Sequence, residues 1–187
     1  RKIMKQNMTQ EPIVYQTGTD VKLINKAEYC KSIIADGKEL ITGNESGVIT
    51  VPELKDPKVY ITFKEGITNF SDAFYGCLAL KSIPDQLFAN NTEVTNFSGT
   101  FFGCISLKSI PTGLFDNNRK VTDFAYTFAS CKALTGESPY TMIDGQKVHL
   151  YERKNYPEQF TAPTGFQDCF YDSNKLTDYA QIPTDWL

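Results

Sequence analysis

The residues of this 187-residue chain with the widest chemistry open to them are five cysteines and one histidine. Cys77, Cys104 and Cys131 recur at 27-residue intervals, and Cys169 falls close to the equivalent place later in the chain. A metal site would need Cys or His at short spacings such as Cys-x-x-Cys, and no such spacing occurs. A disulfide needs Cβ atoms about 3.8 Å apart and turned toward each other, whereas residues in one column of a repeat point the same way. The spacing predicts free thiols buried as small hydrophobes, chemically inert because they are inaccessible. Cys30 lies outside the repeat without an assignable partner. His149, in Val148-His149-Leu150-Tyr151, falls on the polar side of an alternating strand and is expected to face solvent. A Cys/His or Ser/His hydrolase would have to use it as base, yet no Gly-x-Ser-x-Gly elbow is present. Carboxylates sit mostly in turns, and phosphate loops, dinucleotide fingerprints and EF-hand spacing are absent. The expectation is a protein that is not an enzyme and takes no metal or cofactor, with a Cys/His hydrolase as the opposing alternative.

Aromatic residues are the other candidates. Tyr75, Phe102 and Tyr171 each follow a core phenylalanine, and Tyr126 lies near the same line, so the four point partly outward. A rigid aromatic stripe suits protein or glycan contact, because large flat groups bury area with little loss of entropy. The alternative is that they only cover the outer side between repeats.

What must position these residues is an internal repeat. Residues 67–93 and 94–120 match without a gap at 16 of 27 positions, where unrelated stretches would share about two. A third copy runs over 121–134, and a reduced fourth over 166–187. Between them lies an insertion, 135–165. One such unit cannot bury its own apolar face, but stacked units can. Equivalent residues are then expected to form ladders: Phe70, Phe97 and Phe124; Phe74, Phe101, Phe128 and Phe170; Cys77, Cys104 and Cys131; Leu80, Leu107, Leu134 and Leu176. The four- and three-residue spacing of Phe97, Phe101 and Cys104 predicts a short helical turn, and Leu107–Ile110 a short extended stretch before Pro111. Strands on adjacent units are expected to pair in parallel.

The motif Phe-x-x-x-Phe-x-x-Cys-x-x-Leu-x-x-Ile-Pro-x-x-Leu-Phe resembles the BspA-like leucine-rich repeats of Bacteroidetes-type bacterial surface proteins. The likeness is close over 67–134 and looser over 166–187. It implies an extracellular or cell-surface protein, outer-membrane anchored through a removed N-terminal signal, that adheres to host or microbial protein or glycan. With the repeat length, it sets the expected fold class: α/β, a right-handed leucine-rich-repeat solenoid of about four coils.

Solenoid ends need covers. Residues 27–66 are expected to form a β cap, with a hairpin at Asp36-Gly37 and a strand at Val59–Phe63; 1–26 form an N-terminal extension, partly strand or frayed. A second hairpin is expected at Asp144-Gly145 in the insertion. The chain opens at Arg1 without an apolar leader, which suggests a trimmed segment. A net charge of −3 without basic clusters argues against nucleic acid, and no apolar run is long enough to cross a bilayer. The expected function is a monomeric, non-catalytic adhesion module, or alternatively a structural spacer or assembly subunit of a larger surface protein.

Overall fold

The computed structural model describes residues 11–187. Three antiparallel sheets carry the regular structure. The largest holds five strands in the order β4-β3-β6-β1-β7, with β1 at Ile13–Tyr15, β3 at Cys30–Ala35, β4 at Lys38–Glu39, β6 at Lys58–Phe63 and β7 at Leu80–Ser82. Alternation in β6 sets Val59, Ile61 and Phe63 inward, and Val59 pairs with Ile13 while Ile61 pairs with Ile33. A two-stranded sheet joins β2 (Gly18–Ile24) to β5 (Ile49–Leu54), with Val21 opposite Val51. The third joins β8 (Tyr140–Ile143) to β9 (Gln146–His149). The turns of β3–β4 and β8–β9 are both Asp-Gly, with positive φ at Asp36, Gly37, Asp144 and Gly145, as a two-residue hairpin on right-twisted strands requires. Strands β1 and β2, which precede residue 27, belong to the same sheets as the strands of 27–66.

The expected α/β leucine-rich-repeat solenoid is not the fold of this chain. The structure is β-rich, its sheets are antiparallel, and the helices among the described residues are four short 3-10 segments. The physical reason lies in the backbone of the repeats. Gly99 and Gly103 have φ of 62° and 71°, and Asp72, Gly76, Tyr126, Ser130, Asp168 and Asp172 take the same conformation at the corresponding places. A left-handed residue every fourth position prevents continuous helix, so the four–three spacing of the phenylalanines reflects successive tight turns. The parallel sheet is missing as well. Of the Leu-Lys-Ser segments only β7 is a strand, and it pairs antiparallel with β1. Later copies touch at single bonds, Lys108 N–H to Lys81 O and Thr135 N–H to Lys108 O, with Pro84 and Pro111 ending each segment.

Between 67 and 134, N–H groups alternate in direction. Those of Thr100, Phe102 and Cys104 close turns onto Phe97, Gly99 and Phe101. Those of Phe97, Gly99, Phe101 and Gly103 donate to carbonyls of Asp123, Ala125, Thr127 and Ala129 in the next copy. The same four-bond pattern joins the first copy to the second and the third to the fourth. The first three copies are thereby held in 27-residue register, marked by isolated parallel bridges Asn69–Asn96 and Asn96–Asp123, and the third joins the fourth across the insertion at an offset of 42, with the bridge Asp123–Gly165. The core is one continuous cluster running from Ile13 and Tyr15 through the phenylalanines to Trp186.

Candidate functional site

Inside the stack, Phe74, Phe101, Phe128 and Phe170 lie ring over ring at 5.5, 5.6 and 5.7 Å, within 10° of parallel. Phe70, Phe97 and Phe124 form a second file at 5.9 and 6.3 Å. Leu80, Leu107, Leu134 and Leu176 are buried beside them. The thiols are structural in their contacts: Cys104 donates to Phe74 O and Cys131 to Phe101 O. In the fourth copy Ser173, not Cys169, continues that column, donating to Phe128 O at 2.7 Å. Cys169 takes the column of Thr100 and Thr127, whose hydroxyls bridge Phe70 O to Phe97 O and Phe97 O to Phe124 O. All five cysteines are free and buried. Burial pushes the thiols of Cys30, Cys77 and Cys131 up to about 12, and raises Cys104 and Cys169 as well, so none is a thiolate nucleophile near neutral pH.

His149 does not face solvent. Its side chain is only 12% exposed, because Glu137, Glu152 and Asp178 converge on it from three separate segments. Nδ1 lies 2.6 Å from Glu152 Oε1, Nε2 lies 2.7 Å from Glu137 Oε2, and Asp178 Oδ2 is 3.7 Å away. Tyr151 stacks on the imidazole at 5.1 Å. Both ring nitrogens meet carboxylate oxygens. Burial raises the Glu137 carboxyl, but hydrogen bonds from Lys147 and His149 more than offset this and hold it below its ordinary value. Ser138 is fully buried and its hydroxyl, like that of Tyr151, donates to Asp178 and not to His149. The cluster fastens the insertion to the fourth copy. Among the described residues no group of three or more His, Cys, Asp or Glu is arranged to hold a metal ion.

A second fastening went unseen in the sequence. Arg153, in the 3-10 segment Leu150–Asn155, is fully buried. Its guanidinium donates to Asn118 O at 2.7 Å and Phe115 O at 2.9 Å and lies over the Phe160 ring at 4.3 Å. Twenty-seven residues earlier, Asn118 Nδ2 donates to Asn91 O and Phe88 O. The arginine therefore occupies the place of the next ladder asparagine. Desolvation pulls its pKa down to about 9, and it forms no ion pair among the described residues. Nothing in a charged loop sequence signals such a role.

The four aromatic candidates come out on one side of the stack. Tyr75, Tyr126 and Tyr171 are exposed and Phe102 is half-buried. Tyr75 and Phe102 stack at 4.8 Å, and Tyr126 leans on Phe102 at 6.2 Å with a tilt of 49°. Leu78 and Ile105, three residues beyond Tyr75 and Phe102, are exposed too. A comparison of copies could have found these last two: their column reads Leu78, Ile105, Lys132, Asn174, and a column that accepts Lys and Asn faces water. No family model, no curated protein and no solved structure matches this chain. No helix among the described residues is long and apolar enough to cross a membrane.

Proposed function

We propose that this chain is a non-catalytic binding module of the cell surface or extracellular space, presenting the aromatic side of its stacked repeats to a protein or glycan. One observation carries this. Of the seven large hydrophobic residues that stand exposed among the described residues, five (Tyr75, Leu78, Ile105, Tyr126 and Tyr171) fall in the same seven-residue turn of successive copies, and only Val48 and Met142 lie elsewhere. Exposed apolar groups scattered singly need no explanation, but a contiguous set on a rigid scaffold marks an interaction site. Four backbone bonds at every junction fix that surface before a ligand arrives, which limits the ordering cost of binding. The resemblance of the repeat motif to BspA-like surface proteins supports the extracellular setting.

The test is binding of the intact chain to immobilised matrix proteins and to a glycan array. Binding is expected to weaken about tenfold or more when Tyr75 and Tyr171 are both changed to Ala, as for two contacts of roughly 1 kcal/mol each. Undiminished binding would remove the aromatic face from the proposal. Hydrolysis of a substrate panel that disappears in His149→Ala would overturn the non-catalytic assignment.

A further inference from the structure

Tyr126 holds a backbone conformation that disfavours it. Its φ is 59°, and the same place in the other copies is filled by Asp72, Gly99 and Asp168 at 59°, 62° and 54°. Glycine has no Cβ to clash there, and aspartate tolerates the region through local hydrogen bonds. An aromatic ring has neither advantage. Nor does the core offset the strain, because Tyr126 is 39% exposed. What the ring does is continue the ridge. The neighbouring column reads Tyr75, Phe102, Ala129, Tyr171, so at the level of the third copy the aromatic lapses to Ala129, and Tyr126 supplies one beside Phe102. Residues held in strained conformations concentrate where function uses them.

The geometry also discriminates between partners. Tyr75 and Phe102 lie within 9° of parallel, so each covers one face of the other. Sugar rings dock on open aromatic faces, whereas a stacked pair with one face of each ring already covered, flanked by the aliphatic Leu78 and Ile105, suits packing against apolar side chains. Carboxylates border it. Asp72 and Asp168 stand in the Tyr126 column, and Asp20 lines a depression of about 330 Å³ together with Lys22 and Leu78. Lys132 lies 3.6 Å from Asp172, so those two charges offset each other, and Lys22, held by its bond to Tyr75 O at 2.7 Å, shares the depression with Asp20; Asp72 and Asp168 are the charges left over.

We propose, building on the binding-module function, that this ridge, centred on Tyr126, docks a protein segment whose apolar side chains are flanked by lysine or arginine. The probe is a phage-displayed library of random dodecapeptides panned against the intact chain, with the selected peptides synthesised and titrated. The selected sequences are expected to combine two or more apolar side chains with at least one Lys or Arg. Tyr126→Asn is expected to weaken them about tenfold or more while melting about 2–4 °C above the parent, since asparagine accepts the left-handed conformation; Tyr126→Phe should keep the affinity. Opposite signs for binding and stability separate a functional tyrosine from a structural one. Peptides that bind Tyr126→Asn as tightly as the parent, acidic selected sequences, or a lower melting temperature for the variant would each overturn the proposal. So would a Tyr126-dependent signal found only on the glycan array, or self-association abolished by Tyr126→Asn. Array binding insensitive to Tyr126 would leave the binding-module function standing and remove this site from it; no binding to any array or peptide would remove both.

Discussion

Between residues 67 and 134 the carbonyls of each turn are met by small side chains that recur every 27 residues, whereas across 135–165 the same need is met by one long cation. Thr100, Thr127, Cys104, Cys131 and Asn118 each bridge backward to the preceding copy. At the insertion Arg153 reaches two carbonyls at once, and Glu137, His149 and Asp178 tie the hairpin to the fourth copy. The first arrangement is distributed, so each polar contact is modest and backed by backbone bonds to the same or adjacent atoms. The second is concentrated, with one buried cation and one carboxylate cluster beside a few backbone bonds such as Tyr140 N–H to Thr112 O and Thr161 N–H to Arg119 O. Stability effects in the two regions should therefore differ in kind: apolar packing dominates the first and polar satisfaction the second.

The largest effect is expected in the phenylalanine file. Phe101 has Phe74 on one side and Phe128 on the other, and neither can close a ring-sized void without losing its own stacking. Phe101→Ala should cost about 3–5 kcal/mol in urea unfolding. A cost under about 1 kcal/mol would mean that the stack relaxes freely, and the contrast with the insertion would dissolve.

Next comes Arg153→Met, which keeps the apolar stem and removes the guanidinium donors, so that Asn118 O loses its partner while Phe115 O keeps the Asn118 N–H. Leaving buried acceptors short of partners should cost about 2–4 kcal/mol. Arg153→Lys should lose most of the same amount, because one ammonium lacks the planar fork that spans two carbonyls. The matched change in the repeats is Thr127→Val. Phe97 O and Phe124 O also accept from the N–H groups of Thr100 and Thr127, so the loss there should be about 1 kcal/mol. Equal costs for the arginine and threonine changes, measured by the same unfolding curves, would show that the insertion is fastened as redundantly as the repeats.

The phenylalanine, leucine and thiol columns were legible because the period is fixed and the residue types barely vary along them. The backbone that carries them was misread. Phe97, Phe101 and Cys104 have the spacing of a helical turn, but Gly99 and Gly103, with Asp, Ser and Tyr at the matching places, are the signature of left-handed turns that stop a helix. Attention to those columns would have excluded α-helix and the α/β class with it. The antiparallel sheets were half legible: Asp36-Gly37 and Asp144-Gly145 mark hairpins, but nothing local tells β1 to sit between β6 and β7. Cys169, expected close to the place of the thiol column, lies four residues short of it, and Ser173 continues the column instead. His149 alternates as a solvent-facing residue within its strand, and only the arrival of Glu137 and Asp178 from elsewhere buries it. The exposed aromatics were legible as candidates; the strain at Tyr126 was visible only once its φ was known.

Acid separates the two regions with the smallest effect. The ladders of the repeats are built from Phe, Thr, Asn, Leu and thiols whose pKa values burial has raised, so nothing in them changes charge between pH 7 and 3. The insertion differs, because Glu137 accepts from both Lys147 and His149 and its carboxyl is held below the ordinary value. A carboxylate whose folded pKa is depressed binds its proton less readily folded than unfolded. Its stabilisation is complete above the unfolded value of about 4.3 and is lost as pH falls through the lower folded value. The stability advantage of the wild type over Glu137→Gln should therefore be full above about pH 5, shrink as pH falls below the unfolded value of about 4.3, and vanish once the folded carboxyl is protonated. Asp36 and Glu45 in the cap are depressed too, Glu45 to about 2 by its bonds from Thr42, but both are present in each protein and cancel in the comparison. Hydrogen-exchange protection should then fall first over 140–155 while 97–104 stays protected. Simultaneous loss in both segments on acidification would mean that the insertion and the repeats open as one unit, and that the polar cluster adds no separable acid sensitivity.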